Sequence, residues 1–151
     1  MRKLLWLVAL VAMPSMVQAQ QDAYVELLRS DVKTQRVAII TEVMQFSDSA
    51  SAVFWPIYRD YEFEATKIGD DMLALIKDYA ANYDSLSDEM AKDLAKRSLK
   101  IGDDRLKLRK KYFKRVEKAL GSVTAAKFLQ IENQIALLID LQIAQSLPLI
   151  Q

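Results

Sequence analysis

The chain contains no cysteine and no histidine. Without cysteine there is neither a disulfide nor a thiol for lipid attachment, so a fold exported to an oxidising compartment must hold by packing alone. Without histidine the usual general base, the usual activator of a nucleophile and the commonest transition-metal ligand are lost together. Glycine and proline are scarce, three of each among 151 residues, and no alternating β-branched run occurs. That combination argues against turn-dense sheet architectures and for an all-α chain. There is also no P-loop and no dinucleotide-binding glycine pattern. No catalytic, cofactor-binding or metal-ligating residue is therefore assigned, no cofactor is implied, and the chain reads as a non-enzyme.

What is present begins with an address. Arg2 and Lys3 precede an apolar stretch from Leu4 to Met13, then Pro14 and the small-x-small run Val17-Gln18-Ala19. Ten apolar residues are too few to span a bilayer, so residues 1–19 read as a cleaved signal peptide. A retained anchor or an ordinary first helix is the competing reading. Cleavage implies export to the periplasm, no stable membrane insertion afterwards, and one helical domain over residues 20–151. Removing Arg2 and Lys3 turns 21 basic against 20 acidic residues into 19 against 20. A net charge of −1 gives no overall pull toward nucleic acid or anionic lipid.

A nine-residue phrase organises the rest. Lys67-Ile68-Gly69-Asp70-Asp71-Met72-Leu73-Ala74-Leu75 returns 33 residues later as Lys100-Ile101-Gly102-Asp103-Asp104-Arg105-Leu106-Lys107-Leu108. Both copies lie in long helix-patterned runs, with a break near Ser85-Leu86. Folding one run on the other pairs residues whose numbers sum to 171 and sets Gly69 against Gly102. The spacing predicts a first helix over Asp22 to Phe46, a second over about Ser49 to Tyr83, a third to about Ala119 ended by Gly121, and a last from Ala125 to about Gln145. The fold expected is a long antiparallel helical hairpin flanked by an N-terminal and a C-terminal helix. The seam of the second helix, Phe54, Tyr58, Tyr61, Ala65, Ile68, Met72, Leu75 and Tyr79, follows the coiled-coil spacing. Phe54, Trp55, Tyr58, Tyr61 and Phe63 read either as a core plug or as part of a binding face. The last helix is apolar nearly all round, which points to a homodimer burying Ile135, Leu138 and Leu141 partly between subunits.

Charge is segregated. Ten acids and three bases lie between Asp48 and Glu89, against twelve bases and four acids between Lys92 and Lys118. The register of 171 would pair Asp60 with Lys111, Glu62 with Arg109, Glu64 with Lys107 and Asp71 with Lys100. Alternatively Arg105, Lys107, Arg109, Lys110, Lys111, Lys114 and Arg115 form a basic strip for an acidic partner. Asp70, Asp71, Asp103 and Asp104 could hold a divalent cation only weakly, since no loop supplies carbonyl ligands. The two glycines read as a close approach between helices or as a point where both bend.

Three segments place a hydroxyl where a helix starts: Phe46-Ser47-Asp48-Ser49-Ala50, Leu86-Ser87-Asp88-Glu89-Met90 and Val123-Thr124-Ala125-Ala126-Lys127. With them the chain resembles the periplasmic Spy/CpxP-type proteins, exported all-helical chaperones and stress sensors marked by a repeated Leu-Thr-x-x-Gln motif. The closing glutamine is missing in all three segments, and one keeps the threonine. The resemblance implies a bent hairpin in a cradle-shaped antiparallel homodimer whose concave face takes unfolded clients on basic and apolar patches. The expected function is thus to bind unfolded or stress-exposed envelope proteins, or to modulate a membrane stress sensor. The residues assigned to the client are Trp55, Tyr58, Arg109, Lys110, Lys111, Lys114 and Arg115. The alternative is a module dedicated to one envelope partner, without general chaperone activity.

Overall fold

The computed structural model describes residues 34–150. The leader expected over residues 1–19, and the Asp22 cap with Val25, Leu28 and Val32 of the first helix, lie outside the described residues. The chain divides after Ile39 into two units. Of the first, residues 34–39 are described and are helical. The second, from Ile40 onward, holds the hairpin and the core.

Every regular element among the described residues is helical. Helix α1, described over 34–44, stops at Gln45, which takes the left-handed conformation at φ 49°. Helix α2 (Asp48–Asn82) leads through a short 3₁₀ turn (Tyr83–Ser85) into α3 (Asp88–Leu120), and α4 (Ser122–Ser146) follows. Two of the expected caps form. The Ala50 amide donates to Ser47 Oγ and the Met90 amide to Ser87 Oγ, both at 3.3 Å. The third does not. Gly121, at φ 86°, both ends α3 and precedes α4, so α4 starts at Ser122 and Thr124 lies inside it. A left-handed glycine can reverse the chain without a spacer, and the Thr124 hydroxyl three residues on has no cap left to make.

The hairpin closes between Asn82 and Asp88, but its ion pairs are displaced from the sequence-based register. Asp60 pairs with Arg115 at 2.8 Å, Glu64 with Lys111 at 2.6 Å and Asp78 with Arg97 at 2.6 Å. These pairs all sum to 175, one helical turn beyond 171, and replace the expected pairing of Asp60 with Lys111 and Glu64 with Lys107. The cause is geometric. Side chains on a helix lean toward its N-terminus, so in an antiparallel pair both partners lean toward lower numbers. Tips then meet about two residues later on each helix than the backbone register indicates.

The core lies in two clusters. The larger gathers Ile40 and Met44 of α1, Phe54, Tyr58 and Tyr61 of α2, Leu108, Tyr112 and Val116 of α3, and Ala125, Phe128, Ile131 and Ile135 of α4. The smaller, Leu75, Leu94 and Ile101, sits toward the turn, and Ile68 packs on both. Rings join α2 to α4: Phe128 meets Phe54, Tyr58 and Tyr61 at centroid distances of 5.7, 6.3 and 5.4 Å. At the other end, the Tyr79 hydroxyl donates to the Pro148 carbonyl at 2.7 Å and that of Tyr83 to the Leu149 carbonyl at 3.0 Å.

Gly69 and Gly102 are not a close-approach point. Both are exposed, both lie within unbroken helices, and a Cβ placed at either meets nothing within 4 Å. Each therefore only costs backbone entropy. Gly69→Ala and Gly102→Ala are expected to stabilise the chain by about 0.5–1 kcal/mol each. Urea denaturation checks this, and a loss of stability at either position would reveal a tight neighbour.

Candidate functional site

The structure divides the residues that the sequence groups for client binding. Tyr58 is buried in the larger cluster and Trp55 is half-buried, its ring edge-on to Phe54 and Tyr58. Four cations of the expected basic strip are committed within the chain. The Arg105 guanidinium donates to Asp140 at 2.9 Å, Arg109 donates to the Asn133 side chain, and Lys111 and Arg115 make the α2 pairs described above. Arg105 and Arg109 thereby fix α4 on α3, while Lys111 and Arg115 fix α3 on α2. Lys110 and Lys114 are exposed on a different side of α3 and form no ion pair among the described residues.

An aromatic surface with a basic rim does exist, around Phe63 of the aromatic group and Lys107 and Lys111 of the expected strip. An open groove of about 560 Å³ runs along the hairpin between Phe63, Glu64, Lys67 and Ile68 of α2 and Asp104, Lys107, Leu108 and Lys111 of α3. Leu108 is buried and Ile68 half-buried, so they floor it. Phe63 stands up from one wall, 64% exposed. The Lys67 ammonium lies 4.4 Å from the centre of the Phe63 ring, a cation–π contact between residues four apart on one helix.

The groove's two acids already have donors. Glu64 accepts from the Lys111 ammonium at 2.6 Å and the Tyr112 hydroxyl at 2.8 Å. The Lys111 bond, then that of Tyr112, holds the Glu64 carboxyl below its ordinary range. Burial, reinforced by the Glu64 carboxylate, pushes the Tyr112 hydroxyl up to about 12. Asp104 is held down first by its bond from Lys100, at 2.5 Å, and has Lys107 at 3.5 Å. Near neutral pH both carboxylates are charged and the phenol is protonated. What the arrangement can do is receive an apolar group on Phe63, Ile68 and Leu108 and offer Lys67 and Lys107 to a neighbouring anion.

Asp70, Asp71 and Asp103 are exposed on their helices, and among the described residues no group of three or more acids converges as a cation site would require. Ile135 packs in the chain's own core, whereas Leu138 and Leu141, farther along α4, are 62% and 54% exposed.

Phe63 was legible as an anomaly. It stands off the Phe54–Tyr58–Tyr61–Ala65–Ile68 seam, an aromatic ring among Arg59, Thr66, Lys67 and Asp70 on the polar side of α2. No family model matches the chain, and no curated protein or solved structure shows significant similarity to it.

Proposed function

We propose that this chain is an exported, non-enzymatic binding protein of the Spy/CpxP kind, which holds unfolded or stress-exposed envelope proteins in the Phe63 groove. The observation that carries the reading is the pairing of an exposed aromatic ring with lysines in a groove whose own carboxylates are already bonded. Such a site suits apolar residues flanked by acids, the local chemistry of many unfolded segments. Apolar contact with Phe63, Ile68 and Leu108 supplies retention, and Lys67 and Lys107 speed encounter with acidic flanks.

Suppression of aggregation of an unrelated denatured protein tests it. The wild-type mature chain is expected to protect near stoichiometric ratio. Phe63→Ser is expected to weaken protection about tenfold without loss of fold, because the ring is mostly solvent-exposed and an apolar side chain of this size contributes about 1.5–3 kcal/mol when a client covers it. Full protection by Phe63→Ser would remove the groove from the reading. No protection by the wild type, together with capture of a single partner from an envelope extract, would favour a dedicated module.

Assembly as a homodimer through the outer face of α4 belongs to the same proposal, with Leu138 and Leu141 at the contact. Leu138→Asp is then expected to leave the chain's own stability within about 0.5 kcal/mol, as at an exposed site, yet to convert dimer to monomer in sedimentation at micromolar concentration. A wild type already monomeric there would count against the dimer.

A further inference from the structure

The side of α3 that faces away from the core carries its own pattern. Core contacts of the helix come from Leu94, Ile101, Leu108, Tyr112 and Val116. Roughly half a turn away lie Lys92, Lys96, Leu99, Leu106, Lys110 and Lys114, which share one outward side at the 3.6-residue period. All six are exposed. Leu99 is 73% and Leu106 45% exposed. None of the four lysines has an ion-pair partner among the described residues. Of the four acids between Lys92 and Lys118, Asp93 lies 3.5 Å from Arg97 and Asp104 accepts from Lys100 at 2.5 Å, while Asp103 lies among the lysines and Glu117, which accepts from the Ser122 hydroxyl at 2.8 Å, lies at the end of the ridge.

We infer that this ridge of α3 is a docking face for an anionic lipid surface. The charge pattern favours an anionic counterpart, because four lysines face outward against Asp103 and, at the end of the ridge, Glu117. The shape selects among anionic counterparts. From Lys92 to Lys114 the ridge runs about 33 Å along one helix, and its leucines project instead of lining a cavity. A protein partner is normally gripped by anchors seated in pockets. Projecting leucines between lysines match insertion at the level of lipid headgroups, where apolar side chains enter the acyl boundary and lysine stems bend back toward the phosphates. The overall charge near zero hides this, since attraction to a charged membrane acts over about one Debye length and reads the local ridge. The ridge shares no residue with the Phe63 groove, so the two can fail separately.

Vesicle co-sedimentation of the full mature chain tests the inference. Vesicles of phosphatidylcholine alone are compared with vesicles in which phosphatidylglycerol replaces about a third of the lipid. The chain is expected to pellet with the anionic vesicles and to dissociate as salt rises. Lys110→Glu with Lys114→Glu should weaken that binding by roughly thirtyfold or more, given the attraction per lysine near such a surface. Lys92→Glu with Lys96→Glu repeats the test at the other end of the ridge, should either pair disturb folding. Leu99→Ser with Leu106→Ser should weaken it by about tenfold or more, and Phe63→Ser should leave it unchanged. Equal pelleting with phosphatidylcholine alone, or no pelleting with either vesicle, would overturn the inference. So would tighter binding to polyglutamate than to vesicles with the leucine pair making no difference, because the ridge would then be a site for an acidic protein.

Discussion

Replacing Phe128 by alanine is expected to destabilise the chain by about 3–5 kcal/mol, enough to consume much of the stability of a domain this size. Phe128 is 2% exposed and its ring meets those of Phe54, Tyr58 and Tyr61. The surrounding rings come from one rigid helix and cannot all move into the space, so the cost combines lost transfer energy with a persistent cavity. Phe128→Leu, which fills part of that space, should cost less than half as much. Urea denaturation followed by circular dichroism measures both. A loss below about 1 kcal/mol for the alanine variant would mean that α4 is not seated on α2 through this ring.

A comparable effect is expected at the polar contact beside it. The Tyr61 hydroxyl donates to Glu132 Oε2 at 2.7 Å, and Glu132 is 2% exposed. Removing one partner of a buried hydrogen bond leaves the other short of a bond, so Tyr61→Phe should cost about 1–3 kcal/mol. Glu132→Ala should cost at least as much, because it removes an acceptor of the phenol and opens a void. The same urea titration distinguishes this from a merely apolar packing role: if Tyr61→Phe were neutral, the hydroxyl would contribute nothing. A carboxyl group buried among aromatic rings is costly to desolvate, and the phenol is one of the groups that offsets that cost.

Much of the architecture could be read from the residues. The periodicity of Phe54, Tyr58, Tyr61 and Leu75 gave α2 and its buried face, and Ser47 and Ser87 marked helix starts. Other features were hidden for definable reasons. The sum rule located the turn but mispaired the charges, because it counts Cα positions while ion pairs form at side-chain tips. Gly69 and Gly102 suggested contact because they repeat, yet repetition in sequence says nothing about which side of a helix a residue takes. Glu132 was invisible as a core residue, since its type is almost always exposed and only the rings around it could place it. Within the basic strip, spacing alone could not separate Arg105, Arg109, Lys111 and Arg115, which reach neighbouring helices, from Lys110 and Lys114, which do not. That separation decided where a binding surface could be.

The split of the core has a kinetic meaning. Around Val116 and Phe128, four helices contribute to one cluster, so an amide there loses protection only when most of the chain opens together. Toward Asn82 the hairpin has just Leu75, Leu94 and Ile101 buried, plus the two phenols of Tyr79 and Tyr83 on the carbonyls of Pro148 and Leu149. Those acceptors are main-chain atoms, so the fastening depends on the path of the tail and not on its side chains. When it lets go, the turn end can breathe while the aromatic end stays closed. The hairpin is thus expected to show a fast-exchanging half and a slow one, with Ile68, shared by both clusters, as the boundary.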